Sequence, residues 1–183
     1  HYEADYTPLM SRPAFDLLIL GSSSASPTSH RNPSAQLINI AERYFLVDCG
    51  EGTQIQLRRF KAKFQAIRHI LISHLHGDHF AGLPFLLLDA QFTRRARPLV
   101  VAGPKGIEAK LNAAMEVMFE LSSKVQPRFA LSVVALAPEE KRTFGGVTVT
   151  PYPVVHGNSG GPFLAYRIEA EGRTICYSAD TEW

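Results

Sequence analysis

Short apolar runs separated by polar turns fill the first quarter of the chain. This pattern predicts three strands, at residues 15–20, 37–40 and 44–47. The interval between the last two strands is short enough for a hairpin turn. Thr53 is placed to cap a helix that follows and extends to about Lys61. The apolar residues expected on the inner face of that helix are Ile55, Leu57 and Phe60.

The rest of the chain alternates helices with strands and then returns to strands. A stretch with Pro84 in its first turn and Phe92 at its end predicts a buried helix, because it is apolar on nearly every side. Another helix is expected from about Lys105 to Leu121. Further apolar runs predict strands at residues 99–102, 129–136, 147–155, 163–170 and 174–177. This order favours an α/β (α+β) fold, in which a mixed sheet carries helices on its faces.

Length and composition indicate one globular domain. The 183 residues are 45% hydrophobic and 20% charged, and the net charge of +2 does not indicate a nucleic-acid binder. Residues 1–14 have no periodicity and form a predicted lead-in to a domain at 15–183. No apolar run approaches the ~20 residues of a membrane span, and no signal peptide is visible. We therefore expect a cytoplasmic protein without membrane association, in which Cys49 and Cys176 are buried free thiols.

One stretch concentrates the chemistry of the chain. The apolar run Ile70–Ile72 predicts a buried strand, and directly after it come His74, His76, Asp78 and His79. Such polar groups would all need partners in a core, whereas imidazole and carboxylate are the usual ligands of zinc and related ions. Gly77 is expected to let the chain turn, so that one loop could serve two adjacent sites. A surface loop that is histidine-rich by chance is the less favoured alternative.

The segment Ser73–His79 resembles the His-x-His-x-Asp-His motif of the metallo-β-lactamase superfamily. Its flanking residues are more similar to the ribonuclease Z and phosphodiesterase branch than to lactamases. The resemblance implies a four-layer αββα sandwich, with two sheets face to face and metal ions at one edge. Because members of the superfamily are usually longer, this chain is expected to lack the C-terminal elements of the sandwich.

Two more residues gain a role only through the resemblance. A lone histidine after a strand, such as His156, is more often a hydrogen-bonded loop residue than a ligand, and Asp180 could equally be a helix N-cap. The resemblance implies a first metal site of His74, His76, His156 and Asp180. It implies a second site of Asp78, His79 and the shared Asp180. A further family histidine has no counterpart after His156, so the second site is expected to be incomplete and the general acid is unassigned.

The implied cofactors are two divalent ions, with zinc expected and manganese as the alternative. Two such ions lie about 3.5–4 Å apart and lower the pKa of a bridging water toward ~7. The resulting hydroxide would attack phosphorus in line while the metals hold the developing charge. Asp78 is the candidate catalytic residue, because its carboxylate could orient that hydroxide.

Two other motifs support the same branch. Asp48, in the segment Asp48–Thr53, resembles the first residue of the family's Asp-Cys-Gly-Glu-Gly-Thr, which implies that it holds a ligand histidine or the metal loop in place. A turn aspartate bonded to its own backbone is the alternative. The loop 26–33 resembles a Pro-Thr-x-x-Arg-Asn loop, in which Arg31 could bind a substrate phosphate as a fork. A solvated arginine is the more usual outcome, and the basic residues near 58–68 and 94–97 are also expected to be solvated.

The implied activity is metal-dependent hydrolysis of phosphodiester bonds in a nucleic acid, a cyclic nucleotide or another small molecule. Ribonuclease Z enzymes that process tRNA typically carry a long arm between the third histidine and the bridging aspartate. Residues 157–179 hold two predicted strands and leave no room for that arm, which argues against processing of tRNA 3′ ends. The alternatives are a thioester or lactone hydrolase with the same metal loop, and a non-catalytic truncated domain that binds one metal or none. Family members often pair, so a homodimer is the assembly to test.

Overall fold

The computed structural model describes residues 15–62, 64–157, 159 and 161–182, and the predicted lead-in at 1–14 lies outside them. The strands are β1 (Phe15–Gly21), β2 (Ala35–Ile40), β3 (Arg43–Val47), β4 (Ile67–Leu71), β5 (Leu99–Gly103), β6 (Leu131–Ala135), β7 (Arg142–Phe144), β8 (Val147–Pro153), β9 (Leu164–Ala170) and β10 (Arg173–Tyr177). The α-helices are α1 (Thr53–Arg59), α2 (Gly77–Phe80), α3 (Leu83–Phe92) and α4 (Ile107–Met118). Short 3-10 turns occupy Phe64–Ala66 and Ser122–Lys124.

The first sheet has the strand order β1-β2-β3-β4-β5-β6. Its first three strands form an antiparallel meander, and the two-residue turn Ala41–Glu42 has positive φ at both positions, as in a type I′ hairpin. From β3 to β6 the strands run parallel. Parallel strands need crossover connections, and α1, α3 and α4 supply them. The C-terminal ends of β3, β4 and β5 therefore meet at one edge of the sheet.

The second sheet is antiparallel, with the strand order β10-β9-β8-β7. The sequence pattern did not predict β7, because Phe144 is its single apolar residue. The sequence feature that could have indicated this hairpin is the pair Gly145–Gly146. Its φ values of 56 and 84° form a tight turn from β7 to β8. A second two-residue turn, Glu171–Gly172, joins β9 to β10. Two strands and this turn thus fill most of the interval between His156 and Asp180.

An apolar cluster covers each face of the first sheet. On one face, Leu57 of α1 and Leu86 of α3 are among the helical residues that pack against the strands. On the other face, Phe45 of β3 packs with Val149 and Ile168 of the second sheet, and this cluster contains no residue of the described helices. The described chain therefore has three layers, in the order helices, first sheet, second sheet. None of its helices combines the length and apolarity needed to span a membrane.

Helix α1 differs from its prediction in phase and in its cap. Ile55 is 61% exposed, whereas Leu57 is buried. The helix has seven residues, just under two turns, and its buried positions are Thr53, Gln56 and Leu57. Thr53 is the first helical residue, and its hydroxyl donates to Gly50 O at 2.7 Å instead of capping a backbone N–H.

Arg95 was expected to be solvated but is buried. Its guanidinium donates to the carbonyls of Phe64, Ile67, Arg97 and Pro98 at 2.5–3.1 Å. It also lies 5.0 Å from the ring centroid of Phe64. These carbonyls satisfy a cation that would be costly to bury alone. Arg95 therefore ties the connection before β5 to the start of β4, and it is a structural residue.

The two cysteines are free thiols that differ in exposure. Cys49 is buried, and burial raises its pKa to about 12. Cys176 is exposed, so the prediction of a buried thiol is wrong at that position. The reason is the alternation of β10, in which Ile175 and Tyr177 pack inward and the residue between them faces outward.

His69 is a histidine of β4 that contacts the second sheet. Its ring stacks on Phe45 with 4.7 Å between centroids, and it lies 5.4 Å from Phe144 of β7. Its Nδ1 is buried without a hydrogen-bond partner in the described chain. Burial, assisted by the charge of Arg68, lowers the pKa of His69 from 6.5 to about 4. The folded protein therefore favours the neutral ring.

We expect His69 to make the protein sensitive to acid. Because its pKa is lower in the folded chain, the stability it contributes is complete above pH 6.5 and is lost as the pH falls toward 4. The substitution His69→Phe keeps a ring in the stack and removes the titrating group. Between neutral pH and pH ~4, the wild type should lose up to about 3 kcal/mol more unfolding free energy than the variant. Urea denaturation at each pH measures the difference, and parallel profiles would contradict the prediction.

Candidate metal centre

The histidine-rich stretch lies where the parallel strands of the first sheet end. After β4, Ile72 N still donates to Ala102 O at 2.8 Å. The backbone at His76 remains extended, and α2 begins at Gly77. A Cβ at Gly77 would have its nearest neighbour, Ala81 Cβ, at 3.9 Å, and the φ is not positive. The turn expected from glycine flexibility is therefore made by the start of a helix, which other residues could also adopt.

Three histidines form the first cluster of possible ligands. One ring nitrogen from each of His74, His76 and His156 lies within 4.8 Å of the others. Their rings meet edge-on, with centroids 4.7–5.5 Å apart. His156 follows β8 of the second sheet, and Leu164 N of β9 donates to Ser73 O at 3.0 Å. The two sheets are therefore joined at this cluster.

A second cluster combines His74 and His79 with Asp180, again with ligand atoms within 4.8 Å of one another. Asp180 Oδ1 is 3.4 Å from His79 Nε2, and Asp180 Oδ2 is 3.5 Å from His156 Nε2. The Asp180 carboxylate thus lies between the two clusters, with one oxygen turned to each. Asp78 is at the margin of the second cluster, where its Oδ2 is 3.7 Å from His79 Nε2.

Hydrogen bonds leave one nitrogen of each histidine in the motif available to a metal. A carbonyl only accepts, so His76 donates from Nε2 to Ser159 O at 2.7 Å and keeps a lone pair on Nδ1. His79 donates from Nδ1 to Asp48 Oδ2 at 2.6 Å, which leaves its Nε2 free. His74 Nε2 is buried and lacks a hydrogen-bond partner within the described residues.

The donor set fits a divalent metal. A buried nitrogen without a partner, such as His74 Nε2, costs free energy unless something binds it. Converging imidazoles with one carboxylate are the ligands of zinc and similar ions. The two clusters could therefore hold one or two divalent ions, with Asp180 available to both.

Asp48 is fully buried and accepts four hydrogen bonds. Its Oδ1 accepts from Ser73 N at 2.7 Å. Its Oδ2 accepts from Ser73 Oγ at 2.9 Å, from His79 Nδ1 at 2.6 Å and from Tyr177 OH at 2.6 Å. Four donors stabilise an ionised carboxylate. The backbone of Asp48 is left-handed, with φ 58°. Asp48 thus connects the metal loop, the second cluster and β10.

Burial and neighbouring charges set different pKa values for the two buried histidines. Burial is the largest influence on His79 and lowers its pKa, but the hydrogen bond and charge of Asp48, with other nearby carboxylates, raise the pKa above 6.5 overall. Burial lowers the pKa of His74 to about 4, and His79 acts in the same direction. His74 is therefore neutral near pH ~7, which is the form that binds a metal. Burial and the Asp48 charge also raise the pKa of Tyr177, whose hydroxyl stays protonated.

The Asp48–Gly50 segment contacts the metal loop through its backbone. Cys49 N donates to His79 O and Gly82 N donates to Cys49 O, both at 2.8 Å. A Cβ at Gly50 would lie 2.3 Å from Asp78 O and 2.6 Å from Pro33 Cβ, far closer than atoms can approach. Glycine at this position therefore permits the close packing that fixes the loop.

The loop before β2 is ordered by its own hydrogen bonds. Thr28 Oγ1 accepts from Arg31 N at 3.0 Å, Ser23 N donates to Asn32 O at 2.9 Å, and Gln56 Nε2 donates to Asn32 Oδ1. Arg31 itself is exposed, and its guanidinium has no hydrogen bond or ion pair with the described residues. Its role as a substrate-binding residue stays a prediction.

Three residues at the site were not revealed by the sequence pattern. The ring centroid of Phe163 lies 5.1–5.7 Å from those of His74, His76 and His156. Ser73 Oγ is 3.0 Å from His74 Nδ1, and Tyr177 donates to Asp48. Phe163 and Tyr177 have the alternation of ordinary strand residues, so no local signal marked them. Ser73 is the first residue of the Ser73–His79 segment, but residue spacing does not indicate which groups its hydroxyl contacts.

Comparisons with known proteins identify one matching family and several curated relatives, which the chain matches over only part of their length. Residues 15–183 match the family described as Anti-Pycsar protein Apyc1. Ribonuclease Z from Parabacteroides distasonis is 43% identical over 103 residues, which make up 56% of this chain and 34% of that protein. The chain thus spans about a third of the length of the curated relatives that it matches first.

Solved structures share the arrangement of sheets and helices. The crystal structure of human tRNase Z, short form, is 28% identical with a TM-score of 0.73, and the match covers 90% of this chain and 68% of that one. The metallo-β-lactamase fold protein YhfI from Bacillus subtilis is 22% identical with a TM-score of 0.70, and the match covers 91% of this chain and 62% of that one. These matches confirm the fold class expected from the resemblance.

Proposed function

Because the chain belongs to the Anti-Pycsar protein Apyc1 family and to the ribonuclease Z-like branch of the metallo-β-lactamase superfamily, we propose that it is a metal-dependent hydrolase of phosphodiester bonds. The observation that carries the proposal is the pair of donor clusters that share His74 and meet at the Asp180 carboxylate. Neutral and anionic donors that converge from both sheets supply the ligands that a metal-dependent hydrolase needs for its ions.

The residues divide between two ions. His74, His76 and His156 would hold the first ion, Asp78 and His79 would hold the second, and Asp180 would serve both. Zinc is the expected metal because most donors are imidazole nitrogens, with manganese as the alternative. Two divalent ions bound there would supply Lewis acidity, which would stabilise negative charge on the phosphate and make water a nucleophile near neutral pH.

The protein's own groups position the reactants. The carboxylate of Asp78 lies beside the second cluster, where it accepts a hydrogen bond from the attacking water and orients it toward phosphorus. Ser159 O holds the ring of His76, and Asp48 holds the ring of His79. Arg31 is the proposed contact for a non-bridging phosphate oxygen, because a guanidinium matches that geometry.

A small phosphodiester is the proposed substrate. The loop after His156, the two strands β9 and β10 and the turn Glu171–Gly172 account for the chain up to Asp180, so no arm of the kind that tRNA-processing members carry is inserted there. Cyclic nucleotides and short oligonucleotides need no such arm. Longer RNA is the rival substrate, since curated relatives are named ribonuclease Z.

We expect the purified protein to hydrolyse bis(p-nitrophenyl) phosphate and to lose that activity when a chelator removes its metal. Added Zn²⁺ or Mn²⁺ should restore turnover, and elemental analysis gives the number of ions per chain. Cyclic mononucleotides and a precursor tRNA, compared at equal concentration, then separate small from large substrates.

Two results would contradict the proposal. Cleavage of an aryl thioester but not of the phosphodiester would favour the thioester or lactone hydrolase alternative. Fewer than one ion per chain, with no turnover, would favour the non-catalytic domain. Light scattering on the same sample tests the proposed homodimer.

A further inference from the structure

A chain of hydrogen bonds runs from Asp48 into the first sheet. Tyr177 OH is 2.6 Å from Asp48 Oδ2 and 3.0 Å from Ser34 Oγ, and Gln36 Nε2 donates to Ser34 Oγ at 3.2 Å. An ionised carboxylate has no proton to give, so Tyr177 must donate to Asp48. A hydroxyl has a single proton, so Ser34 must then donate to Tyr177 and accept from Gln36. Every bond in this chain therefore has one direction.

The same reasoning identifies which ring nitrogen carries the proton in each of the two buried histidines. Ser73 Oγ donates its proton to Asp48 Oδ2 at 2.9 Å, so at 3.0 Å it can only accept from His74 Nδ1. This places the proton of His74 on Nδ1 and the lone pair on Nε2. His79 Nδ1 donates to the same Asp48 oxygen at 2.6 Å. Both rings therefore present Nε2 to the clusters, and both depend on how Asp48 is held.

We propose that Tyr177 is a positioning residue for metal binding, because its hydroxyl holds the Asp48 carboxylate in the orientation that directs His74 and His79 toward the ions. The inference rests on the proposed function, since it concerns the metals of that site. Tyr177 ends β10 and precedes Asp180 by three positions. One hydrogen bond thus couples the strand that supplies Asp180 to the loop that supplies the histidines.

The substitution Tyr177→Phe tests the role, and Tyr166→Phe is its matched control. Tyr166 lies in the second sheet as Tyr177 does, it is buried, and its hydroxyl donates to Ile72 O at 2.6 Å and has no hydrogen bond to Asp48. Each variant therefore loses one hydroxyl of the second sheet. Tyr166→Phe loses one hydrogen bond, whereas Tyr177→Phe loses the bond to Asp48 and the bond accepted from Ser34. Zinc affinity is measured by competition with a fluorescent chelator. Tyr177→Phe should weaken the most weakly bound ion by about tenfold or more, whereas Tyr166→Phe should stay within about twofold of wild type.

A spectroscopic measurement separates positioning from a general loss of stability. In metal-free protein at a pH where both rings are neutral, ¹⁵N shifts should show His74 and His79 protonated on Nδ1. Tyr177→Phe should shift His79 toward a mixture of tautomers, while Tyr166→Phe should leave the wild-type pattern. If Tyr177→Phe does not fold, Ser34→Ala replaces it. That change removes the donor to Tyr177, leaves Gln36 Nε2 its bond to Gly21 O, and should weaken the same ion severalfold.

The outcomes distinguish this inference from the proposed function. Equal zinc affinities in wild type, Tyr177→Phe and Tyr166→Phe overturn the inference, and they leave the hydrolase proposal standing if the wild type cleaves phosphodiesters. Weaker zinc binding in Tyr177→Phe alone, in a protein without phosphodiesterase activity, supports the inference and refutes the function. A wild-type chain that binds no zinc overturns both.

Discussion

Replacing Asp180 by alanine should abolish metal-dependent phosphodiester hydrolysis, with a fall in kcat/KM of about 10³-fold or more. Asp180 is the carboxylate that reaches both clusters, with Oδ1 3.4 Å from His79 Nε2 and Oδ2 3.5 Å from His156 Nε2. If Asp180 is a ligand of both ions, as proposed, its loss would remove an anionic ligand from each of them. Turnover of bis(p-nitrophenyl) phosphate and the zinc content of the same sample measure the effect.

Glu182→Ala is the control for that experiment. Glu182 is an exposed carboxylate two residues further on, and its backbone N donates to Val155 O at 2.7 Å, a bond that the substitution keeps. This variant should retain wild-type turnover and metal content. Like Asp180→Ala it removes one negative charge, but Glu182 belongs to neither cluster. Full activity in Asp180→Ala, or an equal loss in both variants, would refute the ligand role of Asp180.

The second large effect is expected from Gly50→Ala. A Cβ at this position would lie 2.3 Å from Asp78 O and 2.6 Å from Pro33 Cβ. Neither a backbone carbonyl nor a proline ring can move aside alone, so the metal loop must shift. We expect a loss of about 2–4 kcal/mol in the free energy of unfolding. Urea denaturation of the metal-free protein measures it without a contribution from lost ions.

Gly77→Ala provides the matched comparison within the same loop. A Cβ there has its nearest neighbour at 3.9 Å and the residue is already helical. Alanine should therefore be neutral or stabilise the fold by up to about 1 kcal/mol. If both alanine variants lose the same stability, the close approach at Gly50 is not what fixes the loop.

Much of the fold and the position of the candidate site could be predicted, because local sequence patterns indicate them. Apolar runs gave most strands, and the three histidines after Ile72 stand together in the chain. The sequence did not predict the strand β7 or the buried face of α1, and both misses have a physical reason. The β7 strand has one apolar residue and depends on the Gly145–Gly146 turn, and α1 is too short for its phase to be read from three apolar positions.

Contacts made by residues distant in the sequence could not be predicted. Arg95 is buried because four carbonyls from two connections surround it, and no single-sequence pattern distinguishes it from its exposed neighbour Arg94. Tyr177 reaches Asp48 only because β10 of one sheet ends beside β3 of the other. Contacts of this kind result from tertiary packing and produce no periodic pattern in the sequence.

Position 48 accepts almost no other amino acid, for two independent reasons. Its left-handed backbone, with φ 58°, tolerates glycine, asparagine and aspartate far better than the remaining side chains. Its four donors require an anion, which glycine and asparagine cannot supply. Evolutionary change at this site therefore has to be concerted: a lineage that replaces Asp48 must at the same time rebuild the surroundings of Ser73, His79 and Tyr177.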